Sequence, residues 1–230
     1  MNVLALIPAR VGSKGIPNKN FRDLAGVTPL VRAVSCAWLA GVDDVYISTD
    51  HPTLQGVVTW ERNTKLLYAP APLHTDDCPM IDVVRDALDR VPGPPEQIIV
   101  LLQPTQPLRQ PKHVQAAITL LHESQADSVV SVVEAESPDK LLSIERDGFL
   151  SCWDEPGAAV RWATERRQDA RPAWKRDGTV YAFWRRTVEQ DGNIYGLRSK
   201  PLIIPAEETQ ALDTADDWRA AERRLRDREP

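Results

Sequence analysis

The sequence predicts an α/β fold: an open, mostly parallel sheet with helices covering both faces. Three features carry that expectation. A short, continuously apolar run, Val3 to Ile7, is stopped by Pro8, which suits a strand buried on both faces. A β-loop-α-β-α-β alternation follows it. Further on, the most apolar stretch of the chain, Ile98 to Leu102, opens into the polar loop Gln103 to Arg109. Two such strands put their loops side by side at the carboxyl edge of the sheet, where open α/β sheets bind ligands.

Taken in order, the first strand leads into the loop Ala9 to Asn20. Thr28-Pro29 then reads as a helix N-cap with proline at the first helical position. Leu30, Val34, Ala37 and Trp38 keep helical spacing, and Gly41 ends the helix. Asp44 to Asp50 is a second strand closing on a polar tip. A helix from about Thr53 to Arg62 and a short strand, Lys65 to Tyr68, come next. Ala69 to Pro79 is a polar, proline-rich loop. Ile81, Val84 and Leu88 share one face of a helix from about Met80 to Arg90. After Ile98 to Leu102, Pro111 starts a helix with Val114, Ala117, Ile118 and Leu121 on one side, and Ser128 to Val133 is a strand. From about 137 to 176 the alternation fails. This part reads as an inserted arm, with strand character at Leu141 to Glu145 and a turn at Asp147-Gly148. Tryptophans are interleaved there with Arg161, Arg166, Arg167, Arg171, Lys175 and Arg176. Such a mixture is either a solvated charged loop or an interface or anion site. The core resumes at Asp177 to Trp184 and Pro201 to Ile204, and a last helix starts around Asp213 to Asp217. No linker is long enough to separate two domains, so residues 1–230 are expected to form one.

Composition narrows the function. The chain has 230 residues, 42% hydrophobic and 27% charged, with net charge −5. That balance suits a soluble globular protein and argues against a surface that coats nucleic acid. No apolar stretch approaches the roughly 20 residues that span a bilayer, and the opening residues lack a basic n-region, so no membrane partner is expected and the cytoplasm is the expected compartment. The three cysteines, Cys36, Cys78 and Cys152, are widely spaced and form no zinc pattern.

The loop after the first strand concentrates what a polyphosphate needs. Gly12 and Gly15 allow close approach of the backbone, Ser13 and the intervening N–H groups donate, and Arg10, Lys14 and Lys19 bring three positive charges. It is neither a Walker loop nor a G-x-G-x-x-G turn. The competing reading is a solvated basic turn; the loop's position after a strand expected at the centre of the sheet favours a site.

The motif Ile7-Pro8-Ala9-Arg10-x-Gly12-Ser13-Lys14-Gly15-Ile16-Pro17-x-Lys19-Asn20 closely resembles the signature of acylneuraminate cytidylyltransferases, the CMP-sialic acid synthetase group. Ile47 to Asp50, Leu101 to Arg109, Asp177-Gly178-x-Val180-Tyr181 and Leu212-Asp213-Thr214-x-x-Asp217 match in the family's order, so the resemblance spans essentially the whole chain. It implies a Rossmann-like α/β/α nucleotide-diphosphosugar-transferase fold with a small dimerisation arm, hence a homodimer. It also implies a reaction, in which CTP and an acidic sugar give a CMP-sugar and pyrophosphate, with Mg²⁺ as cofactor. By the same resemblance Arg10, Lys14 and Lys19 carry catalysis, and Ala9, Gly12, Ser13 and Asn20 join them around the nucleotide. Gln103 and Thr105 face the ribose or the sugar. Gln106, Lys175 and Asp177, with Arg166 or Arg167, fall to the substrate, and Asp213 to the metal.

Several positions depart from the pattern. The first of two usual metal aspartates is Ala211, which leaves Asp213 alone, and Asp213 also reads as the N-cap of the last helix. Ala69 replaces an arginine, Gln106 a serine, Asp177 an asparagine and Lys175 an arginine. An unpaired carboxylate at 177 would repel an anionic sugar. These changes leave the acceptor open, as a sugar other than sialic acid or another anionic molecule.

Overall fold

A computed structural model describes residues 2–13, 15–54, 64–75, 77–154 and 171–228. Its centre is a seven-stranded sheet. β1 (Val3–Pro8), β2 (Asp44–Thr49), β3 (Lys65–Tyr68), β4 (Ile98–Leu101), β5 (Ser128–Ala135), β8 (Ala173–Trp184) and β9 (Ser199–Ile203) lie in the order β3-β2-β1-β4-β8-β5-β9. Every neighbouring pair is parallel except those of β8, which runs antiparallel to both β4 and β5.

The continuous apolar runs are explained by burial on two sides. In β1, Val3, Ala5 and Ile7 enter one core while Leu4 and Leu6 enter the other; in β4, Ile98 and Val100 are divided from Ile99 and Leu101 in the same way. The first core is roofed by α1 (Pro29–Leu39) and α3 (Pro111–Glu123), through Leu30, Val34, Ala37, Val114, Ala117 and Leu121. The second is closed by α2 (Met80–Arg90), through Val84, Ala87 and Leu88, and by Val188 of α4 (Arg185–Asp191). Each fully buried valine, leucine or isoleucine side chain among them contributes about 1.5–3 kcal/mol. Thr28 caps α1 as its sequence predicts, its Oγ1 accepting from Val31 N–H at 3.3 Å.

A third cluster matters more for the site. Trp218, Ala221 and Leu225 of α5 (Ala215–Arg226) pack with Leu212 against Ile16, Leu24 and Leu108. The last helix is thereby clamped against the loops that follow β1 and β4.

The differences from the sequence reading are local. α4 has no clear period in sequence and was not expected. It is anchored by Arg185, 2% exposed, whose guanidinium donates to the carbonyls of Leu88 and Val91 and to Gln97 Oε1 at 2.6–3.1 Å. β8 begins at Ala173 rather than Asp177, because residues 173–176 extend the ladder with β5. The arm contains a hairpin of β6 (Leu142–Ile144) and β7 (Leu150–Cys152). Most of the helix expected over Thr53 to Arg62, and Arg161, Arg166 and Arg167, lie outside the described residues. Among the described residues no helix is long and apolar enough to cross a membrane.

Candidate functional site

The loop after β1 is held from β2. Ala9 N–H donates to Ser48 O at 2.8 Å, Thr49 Oγ1 donates to Ala9 O at 2.6 Å, and Val11 N–H donates to Asp50 Oδ1 at 2.8 Å. The polar tip Ser48-Thr49-Asp50 is therefore a fastening for the loop. Asn20 closes it from the other end, its Nδ2 donating to Arg10 O at 3.0 Å. Ala9, Arg10, Ser13, Lys19 and Asn20 then line a cavity of about 250 Å³, walled opposite by Gln103, Thr105, Thr75, Cys78 and Met80.

Three buried oxygens in this lining have no partner within the described protein: Ser13 Oγ, Ser48 Oγ and Asn20 Oδ1. Leaving such groups unpaired costs about 1–3 kcal/mol each, so they are set to be satisfied by a ligand. The serine hydroxyls donate readily to phosphate oxygens. Asn20 differs, because its Nδ2 is committed to Arg10 O; its Oδ1 accepts only, which suits a hydroxyl or amine of the ligand rather than a phosphate.

Gln103 and Thr105 also border a second cavity, of about 420 Å³, together with Gln106, Arg176, Asp177, Gly178, Tyr181, Tyr195, Ala211 and Asp213. Its far wall is a bulge in β8. Tyr181 pairs with Val130 and Arg176 with Val132, so residues 177–180 stand opposite Ser131 alone, whose Oγ accepts from Val180 N–H at 2.9 Å. The bulge demands glycine at 178, where φ is +81° and a Cβ would lie 3.0 Å from Gln103 Oε1. Asp177 does not present a bare charge to the cavity. Its carboxylate accepts from Thr179 N–H at 3.2 Å and from Thr179 Oγ1. Gln106 is fixed in turn, donating to Asp177 O and accepting from Thr209 Oγ1 at 3.1 Å.

Arg109, which belongs to the same motif as Gln103, is a tie rather than a ligand. It is 8% exposed and donates to Thr179 O and Gln103 O, joining the β4 loop to β8. Burial brings its pKa down to about 10, partly offset by Cys36 and Asp177, so it stays charged at neutral pH.

The chain's C-terminal segment completes the site. Lys19 Nζ donates to Leu212 O at 2.7 Å and lies 3.5 Å from Asp213 Oδ1. Leu212 N–H donates to Thr105 O at 3.0 Å. Gly15 meets the same strip: a Cβ there would lie 2.4 Å from Asp213 O. The N-cap of α5 is Thr214, not Asp213; Thr214 Oγ1 accepts from Asp217 N–H at 3.2 Å, and Asp217 Oδ2 accepts from Thr214 N–H at 2.8 Å. Hydrogen bonds from Thr214 hold the Asp217 carboxyl below its usual range. Asp213 is left with a 73% exposed carboxylate at the cavity edge. Among the described residues no group of three or more metal-binding side chains occurs. A single exposed carboxylate fits a hard cation that takes its other ligands from phosphates and water.

Of the residues singled out in sequence, Ala9, Arg10, Ser13, Lys19, Asn20, Gln103 and Thr105 therefore share the first cavity, and Gln103, Thr105, Gln106, Asp177 and Asp213 the second. Gly12 is exposed on the loop and lines neither. Lys175 is also exposed and outside both linings; its neighbour Arg176 lines the second. Lys14, Arg166 and Arg167 lie outside the described residues. Sequence reasoning passed over Thr75 and Cys78, which sit in a proline-rich loop without periodicity, over Met80 at the start of α2, and over Tyr195, which no motif marks. Arg176 was visible only as one of several basic residues in the arm.

Comparison with known proteins agrees with this architecture. A cytidylyltransferase family model matches residues 4–151. An N-acylneuraminate cytidylyltransferase of Streptococcus agalactiae is 29% identical over 222 residues, 95% of this chain and 52% of that one. A CMP-N,N'-diacetyllegionaminic acid synthase of Legionella pneumophila is 29% identical over 244 residues, 97% of this chain and 96% of that one. The chain thus spans about half the length of the streptococcal relative and nearly all of the Legionella one. A CMP:2-keto-3-deoxy-manno-octonic acid synthetase solved with CTP superimposes over 99% of both chains, with a TM-score of 0.71 at 16% identity, which shows a shared fold. With residues 4–151, more than half of its length, matched by the family model, the chain belongs to the cytidylyltransferase family.

Proposed function

We propose that this chain activates an acidic nonulosonic sugar with CTP, releasing pyrophosphate and a CMP-sugar. One observation carries the reading: two cavities at the carboxyl ends of β1 and β4 adjoin across Gln103 and Thr105, one beside the basic loop and one beside the β8 bulge. A triphosphate in the first would bring its α-phosphorus to that boundary, within reach of an acceptor hydroxyl in the second. The hydroxyl oxygen bonds to the α-phosphorus, the bond to the β-phosphate bridging oxygen breaks, and the hydroxyl proton passes to solvent. Catalysis of this kind is positioning and neutralisation of charge. Arg10 and Lys19 supply charge, Ser13 donates, and Asn20 accepts from the nucleoside part. Asp213 would hold Mg²⁺ together with phosphate oxygens. Bound there, Mg²⁺ neutralises charge on the triphosphate and leaving pyrophosphate.

Supporting the homologues' chemistry, curated relatives include synthetases for both neuraminic and legionaminic acids. The exposed apolar hairpin of the arm supports a homodimer, and a cytoplasmic setting supplies CTP.

The test is pyrophosphate release from protein, Mg²⁺ and each nucleoside triphosphate with a panel of acidic sugars. Release with CTP alone is expected. Arg10→Ala should lower turnover by orders of magnitude with an unchanged melting temperature; a large loss of stability would make the loop structural. Ala211 motivates one rival, a nucleotide-binding protein without catalysis. CTP binding without release across the panel would favour it.

A further inference from the structure

We propose that Arg176 and Tyr195 form an anion clamp in the second cavity that holds the carboxylate of the acceptor, an assignment that rests on reading this cavity as the acceptor side. The Arg176 guanidinium lies over the Tyr195 ring, 5.4 Å from its centroid, and Nη1 donates to the Tyr195 hydroxyl. Because that oxygen accepts from arginine, its own proton remains to donate to a ligand. Arg176 in turn keeps most of its donor fork, whose planar geometry matches a carboxylate.

The tyrosine half of the clamp is held from behind. Tyr195 N–H donates to Asn193 Oδ1 at 2.8 Å, and Tyr195 O accepts from Ser128 Oγ at 2.7 Å and Ser199 Oγ at 3.0 Å. Its ring meets that of Tyr181 edge-on, with centroids 6.4 Å apart.

Charge assigns the role to Arg176 and not to its neighbours. Asp177 is engaged by Thr179, and Asp213 faces Lys19 across the boundary with the first cavity. Lys175 lines neither cavity. Among the described residues, Arg176 is the cation lining the second cavity, and no carboxylate there pairs with it. The β8 bulge is the reason it can take this place. Arg176 and Tyr181 are an odd number of residues apart, which in a regular strand puts side chains on opposite faces. The register shift between Val130 and Val132 brings both to one cavity.

Calorimetric titration decides the matter, with N-acetylneuraminate as the carboxylate probe, its methyl ester as the uncharged control and α,β-methylene CTP present. Wild-type protein should bind the acid about tenfold or more tightly than the ester, as expected for a charge-assisted pair. Arg176→Gln should abolish that preference, Arg176→Lys should restore part of it, and Tyr195→Phe should weaken it, all with melting temperature and CTP-analogue affinity unchanged. A preference that survives Arg176→Gln, or a wild type that does not prefer the acid, overturns the clamp. The transferase reading fails separately: acid preference lost in Arg176→Gln with no CTP-dependent pyrophosphate release from wild type keeps the clamp and removes the reaction.

Discussion

Gly178 carries an unusual share of the site. Its left-handed φ permits the β8 bulge, and its missing side chain leaves room for Gln103, which borders both cavities. Gly178→Ala should cost about 1–2 kcal/mol of stability, from a strained φ and a displaced glutamine. It should also raise the KM for the acceptor more than that for CTP. Denaturant melts and steady-state kinetics check both; equal effects on the two KM values would count against a role at the boundary. A second pair separates metal from cap. Asp213→Asn should raise the Mg²⁺ concentration needed for activity and leave the fold unaffected. Thr214→Ala should cost about 1 kcal/mol of stability and leave the Mg²⁺ response alone. If Asp213→Asn melts early instead, its carboxylate is structural.

At the scale of elements, α3 and the strip before α5 are joined by a buried histidine. His113 Nδ1 accepts from Gln110 N–H at 3.2 Å, so Nε2 carries the proton and donates to Glu208 Oε2 at 2.6 Å. Burial holds the His113 pKa below its ordinary value, against the opposing pull of Glu208. The folded pKa is the lower one, so the unfolded chain takes up the proton first. Stability is then full above about pH 6.5 and falls as pH drops below it. Glu208, held low mainly by Lys112 and then by His113, adds loss of the same sign further into acid. Protonation at Nδ1 would also abolish the bond from Gln110. The melting temperature should therefore fall between about pH 7.5 and 5.5, and His113→Gln should flatten that slope. An unchanged slope would place the titration elsewhere. Because Glu208 precedes Thr209 and Asp213, acid should loosen the C-terminal side of the site as well.

For the whole molecule, the hairpin of the arm leaves Ile144, Phe149 and Trp153 at 76%, 74% and 61% exposure, a concentration of apolar surface that soluble monomers rarely show. Light scattering should give twice the 25.7 kDa chain mass. Ile144→Glu with Phe149→Lys should give a monomer with its circular dichroism retained; a wild-type monomer would leave this surface for another partner.

What could be read from the sequence was whatever depends on near neighbours in the chain. Two-sided burial of β1 and β4 follows from runs without polar residues, α1 from its cap and period, and the basic loop from glycine, serine and cation spacing. These residues were enough to predict a covered parallel sheet and a polyphosphate loop, and the motif resemblance pointed to a cytidylyltransferase. The tertiary structure alone decided which distant groups meet. It made Thr214 the cap and left Asp213 exposed beside Lys19, buried Arg109 as a tie, turned the Asp177 carboxylate to Thr179, and brought Arg176 rather than Lys175 into the second cavity. Those outcomes depend on a bulge in β8 and on α5 packing against Ile16 and Leu108, contacts between segments far apart in the chain that no local pattern encodes.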